Sequence, residues 1–256
     1  MKRKILKWTL QFSVLIILLF GGLILTVLNP TLLYANKTVF ENFTVFHNKS
    51  LDKDLKTRLD DARNIIKENQ LFDSSLKFDI CLNDGSLYPS LLEIFMGQAF
   101  ALGFTSNKVA ICGNANYKDN YVEVNGYKWN LTQLIAHEET HCLVYNKLGF
   151  WKSNPIANNP EWKWEGYPEY VSRRYQDQLN LVKNIKQLDE ALAFDKTQWG
   201  ISFADSTITS REYFNNRLLT QYCLDIKKMT FEEFLSDTAS EQTIETQMRK
   251  WYITQK

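Results

Sequence analysis

This chain has little excess charge of either sign, since 30 lysines and arginines face 29 aspartates and glutamates. Beyond a short basic cluster at the N-terminus it contains no dense basic block, so nucleic acid is not an expected partner. It also has no internal repeat and no low-complexity linker, which favours one folded domain. Its mean hydropathy of −0.32 excludes a membrane enzyme with many spans.

One long apolar run contrasts with this polar average. Residues 12–28 contain no charged side chain. Residues 8–11 can extend the run to the length needed to cross a hydrocarbon core of about 30 Å. A basic cluster precedes the run, and positive residues favour the cytoplasmic side of a membrane. That cluster consists of Lys2, Arg3, Lys4 and Lys7.

The run therefore predicts a single-pass protein of the cell membrane, with a cytoplasmic N-terminus at 1–11 and a transmembrane anchor at 12–29. The domain at 36–256 is expected to lie outside the cytoplasm. A cleavable signal peptide is the alternative, but the run is long for one and no small-residue cleavage pair follows it. About 220 residues remain after the anchor, enough for a substantial core.

Cysteine is also rare, with four residues, all in the part expected to be exported. Cys81 and Cys112 end two predicted strands of one small sheet, so we expect a disulfide between them. It would close a loop of about 32 residues and stabilise the fold by roughly 3–4 kcal/mol. Cys142 and Cys223 are expected to be small core residues, and a Cys142 thiolate that binds metal is a less favoured alternative.

The segment His137-Glu138-Glu139-Thr140-His141 has the HExxH pattern. Histidines four positions apart lie on one face of a helix, so both imidazoles can face one metal ion. Glu138 is then placed to take a proton from a water that the metal activates. The pattern predicts a hydrolytic Zn²⁺ site with two histidine ligands and Glu138 as the general base.

The residues around this pattern predict a buried helix rather than an exposed charged face, which is the alternative. Apolar side chains flank the pattern on both sides, and they would bury an unpaired His-Glu-His set at high cost. Asn130 and Gln133 have the spacing of a capping box, so the helix should begin next to Asn130.

A zinc hydrolase usually takes three protein ligands and leaves its fourth coordination position open. The third histidine, His47, lies far upstream, and Val144 and Lys147 stand where a metzincin would have its next glycine and histidine. A glutamate on the following helix is the remaining common solution.

Such a glutamate occurs in Trp164-Glu165-Gly166-Tyr167-Pro168-Glu169-Tyr170-Val171-Ser172, where Glu165 lies 24 positions after His141. With the HExxH pattern, this segment resembles the gluzincins, the HExxH…E zinc metallopeptidases. It looks most like W-x-E-G-x-A-E-Y-V-S of the bacterial membrane-anchored peptidase MA-like group. The resemblance implies that Glu165 is the third zinc ligand and that Glu169 orients a zinc histidine. The alternative is that both glutamates belong to a solvated helix face.

One residue departs from that family pattern, because Pro168 stands where alanine is usual. Proline is tolerated only in the first turn of a helix. The ligand helix should therefore begin near Trp164 or Glu165, which places Glu165 close to its N-terminus.

The resemblance also implies a donor that steadies the oxyanion formed during hydrolysis. The candidates are Tyr213, Tyr167, Tyr170 and Arg173. Tyr213 is favoured because family members often bring a tyrosine from a downstream helix, although spacing alone does not choose among the four.

The predicted fold class is α+β, with a zincin-like catalytic domain that combines a small mixed sheet, the active-site helix and a helical C-terminal half. Strands are predicted at 43–47, 76–82, 108–112 and 121–124. Helices are predicted at 50–69, 87–102, 179–194, 212–226, 231–235 and 241–252.

These features together predict a membrane-anchored, extracytoplasmic zinc metallopeptidase whose partners are a peptide or protein substrate and the lipid bilayer. Two alternatives stay open. One is a non-catalytic zinc-binding or surface interaction protein that retains the zincin fold. The other is a zinc hydrolase that acts on a non-peptide amide.

Overall fold

A five-stranded mixed sheet organises the N-terminal half of the domain. The computed structural model describes residues 2–104, 107–173, 175, 178–195, 197 and 199–255, with residues 2–7 and 95 described in the backbone only. The strands of this sheet are β1 (Asn36–Val39), β2 (Phe43–His47), β3 (Phe78–Cys81), β4 (Ala101–Phe104) and β5 (Lys108–Ile111).

The sheet has the order β1–β2–β3–β5–β4, with β2, β3 and β5 parallel and both edge strands antiparallel. Val45, Ile80 and Val109 lie side by side in this register and are fully buried. β-branched residues at the centre of a sheet that is covered on both faces are the expected composition.

The helices and two small antiparallel sheets complete the described part of the chain. The small sheets are β6 (Asn114–Asn116), β7 (Tyr121–Val124) and β8 (Tyr127–Asn130), and β9 (Gly200–Ser202) with β10 (Ile208–Ser210). The helices are α1 (Lys2–Leu28), α2 (Leu55–Ile66), α3 (Tyr88–Met96), α4 (Leu131–Leu148), α5 (Glu161–Trp164), α6 (Gly166–Ser172), α7 (Leu181–Phe194), α8 (Arg211–Gln221), α9 (Phe231–Ser236) and α10 (Glu241–Ile253). The prediction of a small mixed sheet followed by a helical C-terminal half is confirmed as far as the order of strands and helices is concerned.

Helix α4 runs through the centre of the molecule, and every residue from Leu131 to Val144 is buried. It packs on α2, on α6 and on strands β4 and β5. The main core lies on this side of the sheet, whereas α3 covers the opposite face. The prediction of a buried motif helix is therefore confirmed.

Several predicted elements have the expected bounds, but the apolar helix predicted at 87–102 is wrong in its second half. Helix α3 ends at Met96, Gly97 adopts φ +81°, and the chain then forms β4. Glycine tolerates a positive φ because it has no Cβ, so the chain can leave the helix at this residue. The glycine was the sequence feature that could have revealed the edge strand.

The N-terminal helix α1 contains the apolar segment Trp8–Leu28, which has a mean hydropathy of 2.5 and is not buried inside the protein. Among the described residues it is the one helix long and apolar enough to cross a membrane, and a signal sequence has the same properties. The predicted cytoplasmic location of the N-terminus depends on the basic cluster before Trp8. The side chains of that cluster are not among those that the structure describes.

The expected disulfide is wrong, because Cys81 and Cys112 are free, buried thiols. In the β3–β5 register Cys81 lies opposite Ala110, and Cys112 follows two residues later. This offset places the two Cα atoms about 8 Å apart, beyond the roughly 7 Å that a disulfide can span. The strand register, which the spacing of cysteines does not reveal, decides the outcome.

Candidate metal centre

The side chain of Asn130 sets the start of α4. Its Oδ1 accepts a hydrogen bond from the Gln133 backbone N–H at 3.0 Å, as the predicted cap requires. In a complete capping box the Gln133 side chain would also bond back to the backbone of Asn130. Here Gln133 Nε2 donates instead to Gln178 Oε1 at 2.8 Å. The cap thus begins the helix at the predicted residue while Gln133 ties it to a later segment.

Three side chains converge where α4 meets the segment between α5 and α6. His137 Nε2 and His141 Nε2 lie 3.4 and 3.3 Å from Glu165 Oε2. One ligand atom from each of the three residues lies within 4.8 Å of the others, so the group could hold a metal ion. Ligand atoms around a tetrahedral Zn²⁺ are separated by about 3.3–3.5 Å, which follows from bonds of about 2.0–2.2 Å. These residues therefore fit the expected ion.

Glu165 lies between α5 and α6 with a helical backbone, and its N–H and C=O bond to Glu161 and Glu169 as in a continuous helix. α5 ends at Trp164 and α6 begins at Gly166, with Pro168 in its first turn. A Cβ on Gly166 would meet the backbone oxygen of Asn216 at 2.7 Å, so only glycine allows α6 to pack this closely on α8. The predicted position of Glu165, next to the start of a helix, is confirmed.

Glu169 lies one turn further on and is fully buried beneath His137. His137 Nδ1 lies 3.2 Å from Glu169 Oε2. A hydrogen bond from Nδ1–H to this carboxylate would leave Nε2, which faces Glu165, to bind a metal ion. The other carboxylate oxygen accepts hydrogen bonds from Arg173 Nε and, at 2.9 Å, from Thr209 Oγ1. Burial alone would raise the pKa of Glu169, but Arg173 and His137 lower it to about 2. Glu169 is therefore ionised and can orient His137.

The support for Glu169 extends through residues that the sequence did not single out for this role. Arg173 Nη1 donates to Gln133 Oε1 at 2.7 Å, so the carboxylate is linked to the start of α4. The spacing of Glu169 and Arg173, four residues apart on a helix, could have suggested their pairing. Nothing in the sequence indicated Thr209, because its contact depends on β10 packing against α6.

The carboxylate of Glu138 is held by the edge strand. Gly103 N–H donates to Glu138 Oε2 at 2.6 Å. Burial raises the pKa of Glu138, and the negative charge of Glu165 raises it further. The two histidines and the Gly103 amide lower it, but the pKa remains above its usual value. A buried carboxyl with a raised pKa is suited to accept and then release a proton.

Gly103→Ala should therefore both destabilise the fold and displace Glu138. A Cβ at this position would lie 2.3 Å from the Glu138 carbonyl oxygen, a contact between two backbones that no rotamer can relieve. We expect a loss of about 1–3 kcal/mol in the free energy of unfolding, measured by denaturant titration. Gly200→Ala is the control within the domain, because the nearest atom to a Cβ there is the Thr209 oxygen at 3.3 Å. Equal stability of the two variants would show that α4 and β4 can separate freely.

Charge at the site favours a cation between the two histidines. Burial lowers the pKa of His137, yet the carboxylates of Glu165, Glu169 and Glu138 raise it to about 10. Burial would also raise the pKa of Glu165, but the histidines lower it, so this ligand is ionised. An electrostatic field that holds a proton on a buried imidazole also favours a bound metal cation.

The structure separates the four candidate oxyanion donors. Tyr213 stacks on His137, with ring centroids 5.8 Å apart and planes within 2° of parallel. Tyr167 and Tyr170 donate instead to Asn69 and Asp225, and Arg173 is engaged by Glu169. Of the four, Tyr213 is the residue that lines the cavity together with His137 and Glu138.

That cavity has a volume of about 320 Å³ and lies between the edge strand and the C-terminal half. His137 and Glu138 line this cavity together with four aromatic residues. The aromatic lining residues are Phe100, Trp129, Trp199 and Tyr213. A chain segment in this cavity would lie against both Glu138 and the candidate metal position.

The remaining candidates for metal binding lie elsewhere. Cys142 Sγ donates towards the carbonyls of Phe104 and Lys108, so this thiol faces the sheet, and Cys223 is also a buried core residue. His47 interacts with Thr38 Oγ1 and the Lys49 carbonyl in the first strands. The expectation that the two cysteines are core residues is confirmed.

Comparison of the chain with models of protein families, with curated proteins and with solved structures gave no match. The site is therefore defined by its own geometry: a His/His/Glu group that could hold a metal ion, beside a buried carboxyl in a cavity.

Proposed function

We propose that this protein is a zinc-dependent metallopeptidase of the gluzincin type, with a zincin-like catalytic domain held outside the cell membrane by α1. The observation that carries the proposal is the convergence of His137, His141 and Glu165 beside Glu138 at one end of a cavity. The function depends on the site, because a fold alone does not specify an activity.

Two imidazole nitrogens and one carboxylate oxygen are a donor set that suits Zn²⁺. Zinc bound there would supply a Lewis acid that activates water and polarises the scissile carbonyl. Glu138 would take the proton from the attacking water and pass it to the nitrogen of the leaving amine. The Gly103 amide keeps the Glu138 carboxylate in place during both transfers.

Tyr213 would donate a hydrogen bond from its hydroxyl to the oxyanion. Burial raises the pKa of Tyr213 well above its usual range, and the charges of Glu165 and Glu138 add to this, as does a hydrogen bond to Glu165. The phenol is therefore neutral and retains its proton at physiological pH. Its position against His137 keeps it at the end of the cavity where the carbonyl would react.

We expect Tyr213→Phe to lower kcat by about 10²–10³, the usual cost of losing one oxyanion donor. Zinc content should not change, because the hydroxyl is not a ligand in this proposal. Tyr170→Phe is the control, since its hydroxyl donates to Asp225 away from the cavity. Steady-state kinetics on a peptide substrate decide the question, and equal kcat in both variants would remove Tyr213 from the mechanism.

The full chain, purified in lipid nanodiscs, provides the test of the function. We expect about one zinc per chain by elemental analysis and hydrolysis of members of a broad peptide library, lost on chelation and restored by zinc. Bound zinc without cleavage of any peptide would favour a non-catalytic binding protein. Cleavage of small amides alone would indicate a non-peptide substrate.

A further inference from the structure

Helix α3 has apolar side chains both on its buried side and on its exposed side. Tyr88 and Leu92 are buried against the sheet. Leu87, Leu91 and Ile94 follow at helical spacing on the other side, where Leu87 is 72% and Ile94 76% exposed. Large apolar side chains exposed on one side of a helix are normally covered by protein or by lipid. We call the side that carries Leu87, Ile94 and half-buried Leu91, together with the exposed Ser90, the outer face of α3.

The outer face carries no charge. Glu93 is the single charged residue of α3, and it lines a separate polar cavity with Asn83 and Asn125. A protein partner that recognised this surface through ion pairs would find none to make on it. The composition therefore favours hydrocarbon as the occupant.

The end of α1 is attached directly to α3. Tyr88 Oη donates to the Val27 carbonyl at 2.7 Å, and Ser86 Oγ donates to the Leu33 carbonyl at 2.9 Å. Val27 and Tyr34 pack into the same apolar cluster as Tyr88. No flexible linker therefore separates the apolar segment from the domain, and α3 lies where that segment ends.

We propose that the outer face of α3 is a second membrane contact, which inserts into the bilayer next to the transmembrane helix. This contact would hold the domain against the lipid surface. This inference rests on the proposed anchor, and it does not depend on peptidase activity. Tyr88 is buried between the sheet and the end of α1, and its neighbour Leu87 is exposed, so the start of the outer face lies next to the apolar segment. A bilayer that reaches Val27 would therefore meet α3 first at Leu87, and Ile94 follows about two turns later on the same face.

Site-directed spin labelling of the full chain in lipid nanodiscs tests the proposal. One nitroxide is attached at a time to Ile94→Cys, to Leu18→Cys in the apolar segment, or to Ile253→Cys, which is 68% exposed on α10. All four native cysteines are buried, and unsubstituted protein measures any labelling of them. Collision with oxygen, which concentrates in lipid, is compared with collision with a water-soluble nickel complex.

We expect the ratio of oxygen to nickel collisions to be several-fold higher at position 94 than at position 253, and closer to the value at position 18. A ratio at 94 equal to that at 253, with position 18 in lipid, would overturn the proposal and leave the anchor intact. An aqueous ratio at 18 would overturn both the anchor and the proposal. Peptide hydrolysis by the unlabelled protein is a separate readout, so failure of the peptidase function is distinguishable from either result.

Discussion

Glu138→Gln should lower kcat/KM for peptide hydrolysis by about 10²–10⁴, the range over which a positioned general base contributes. The amide has nearly the same shape as the carboxylate, and its oxygen can still accept the Gly103 N–H hydrogen bond. It cannot take a proton from water, however. Elemental analysis should therefore find zinc still bound in an inactive protein.

Glu139→Gln is the matched control for this prediction. Burial raises the pKa of Glu139 well above its usual range, which favours the neutral acid, and glutamine resembles that form closely. Within the described part of the chain, neither of its carboxyl oxygens has a hydrogen-bond partner. We expect this variant to keep its activity. If Glu138→Gln also remained within a few-fold of the unsubstituted protein, Glu138 would not be the general base.

Glu165→Ala should weaken zinc binding by about 100-fold or more, because loss of an outer residue that merely orients a ligand already costs about 10–100-fold. Glu165 supplies the one negative charge among the three ligand residues, and its oxygen is the atom shared by both histidine contacts. Without it, the two imidazoles lack their third partner. Competition with a chromogenic chelator measures the change in zinc affinity.

Glu161→Ala separates this effect from a general loss of acidic charge, since Glu161 lies one turn earlier and is exposed. Its zinc affinity should match that of the unsubstituted protein, and both variants should unfold at similar denaturant concentrations when zinc is absent. Equal affinity in the two variants would place the third ligand outside the segment between α5 and α6. The proposed gluzincin site would then be wrong.

Local patterns determined much of the fold and part of the site. The shared helix face of His137 and His141 follows from a four-residue spacing, and the start of α4 follows from the Asn130 cap. Pro168 limited where the next helix could begin, which correctly placed Glu165 near a helix start. These are short-range constraints, since each depends on backbone geometry within about one helical turn.

Other outcomes depend on contacts between residues far apart in the chain. The Cys81–Cys112 pair was misjudged because strand register decides which side chains meet. The predicted helix at 87–102 includes the first two residues of the edge strand, because an apolar stretch has no clear periodicity until Gly97 is recognised as the end of the helix.

The sequence by itself determined which residues can share a helix face and where the long apolar segment lies. Only the tertiary structure decided that Tyr213, of four candidates, lies in the cavity, and that Arg173 and Thr209 hold Glu169 against His137. It also decided that the outer face of α3 stays uncovered beside the end of α1. The physical reason is that helix spacing and capping act over a few residues, whereas a cavity wall or a buried ion pair exists only after distant segments have packed.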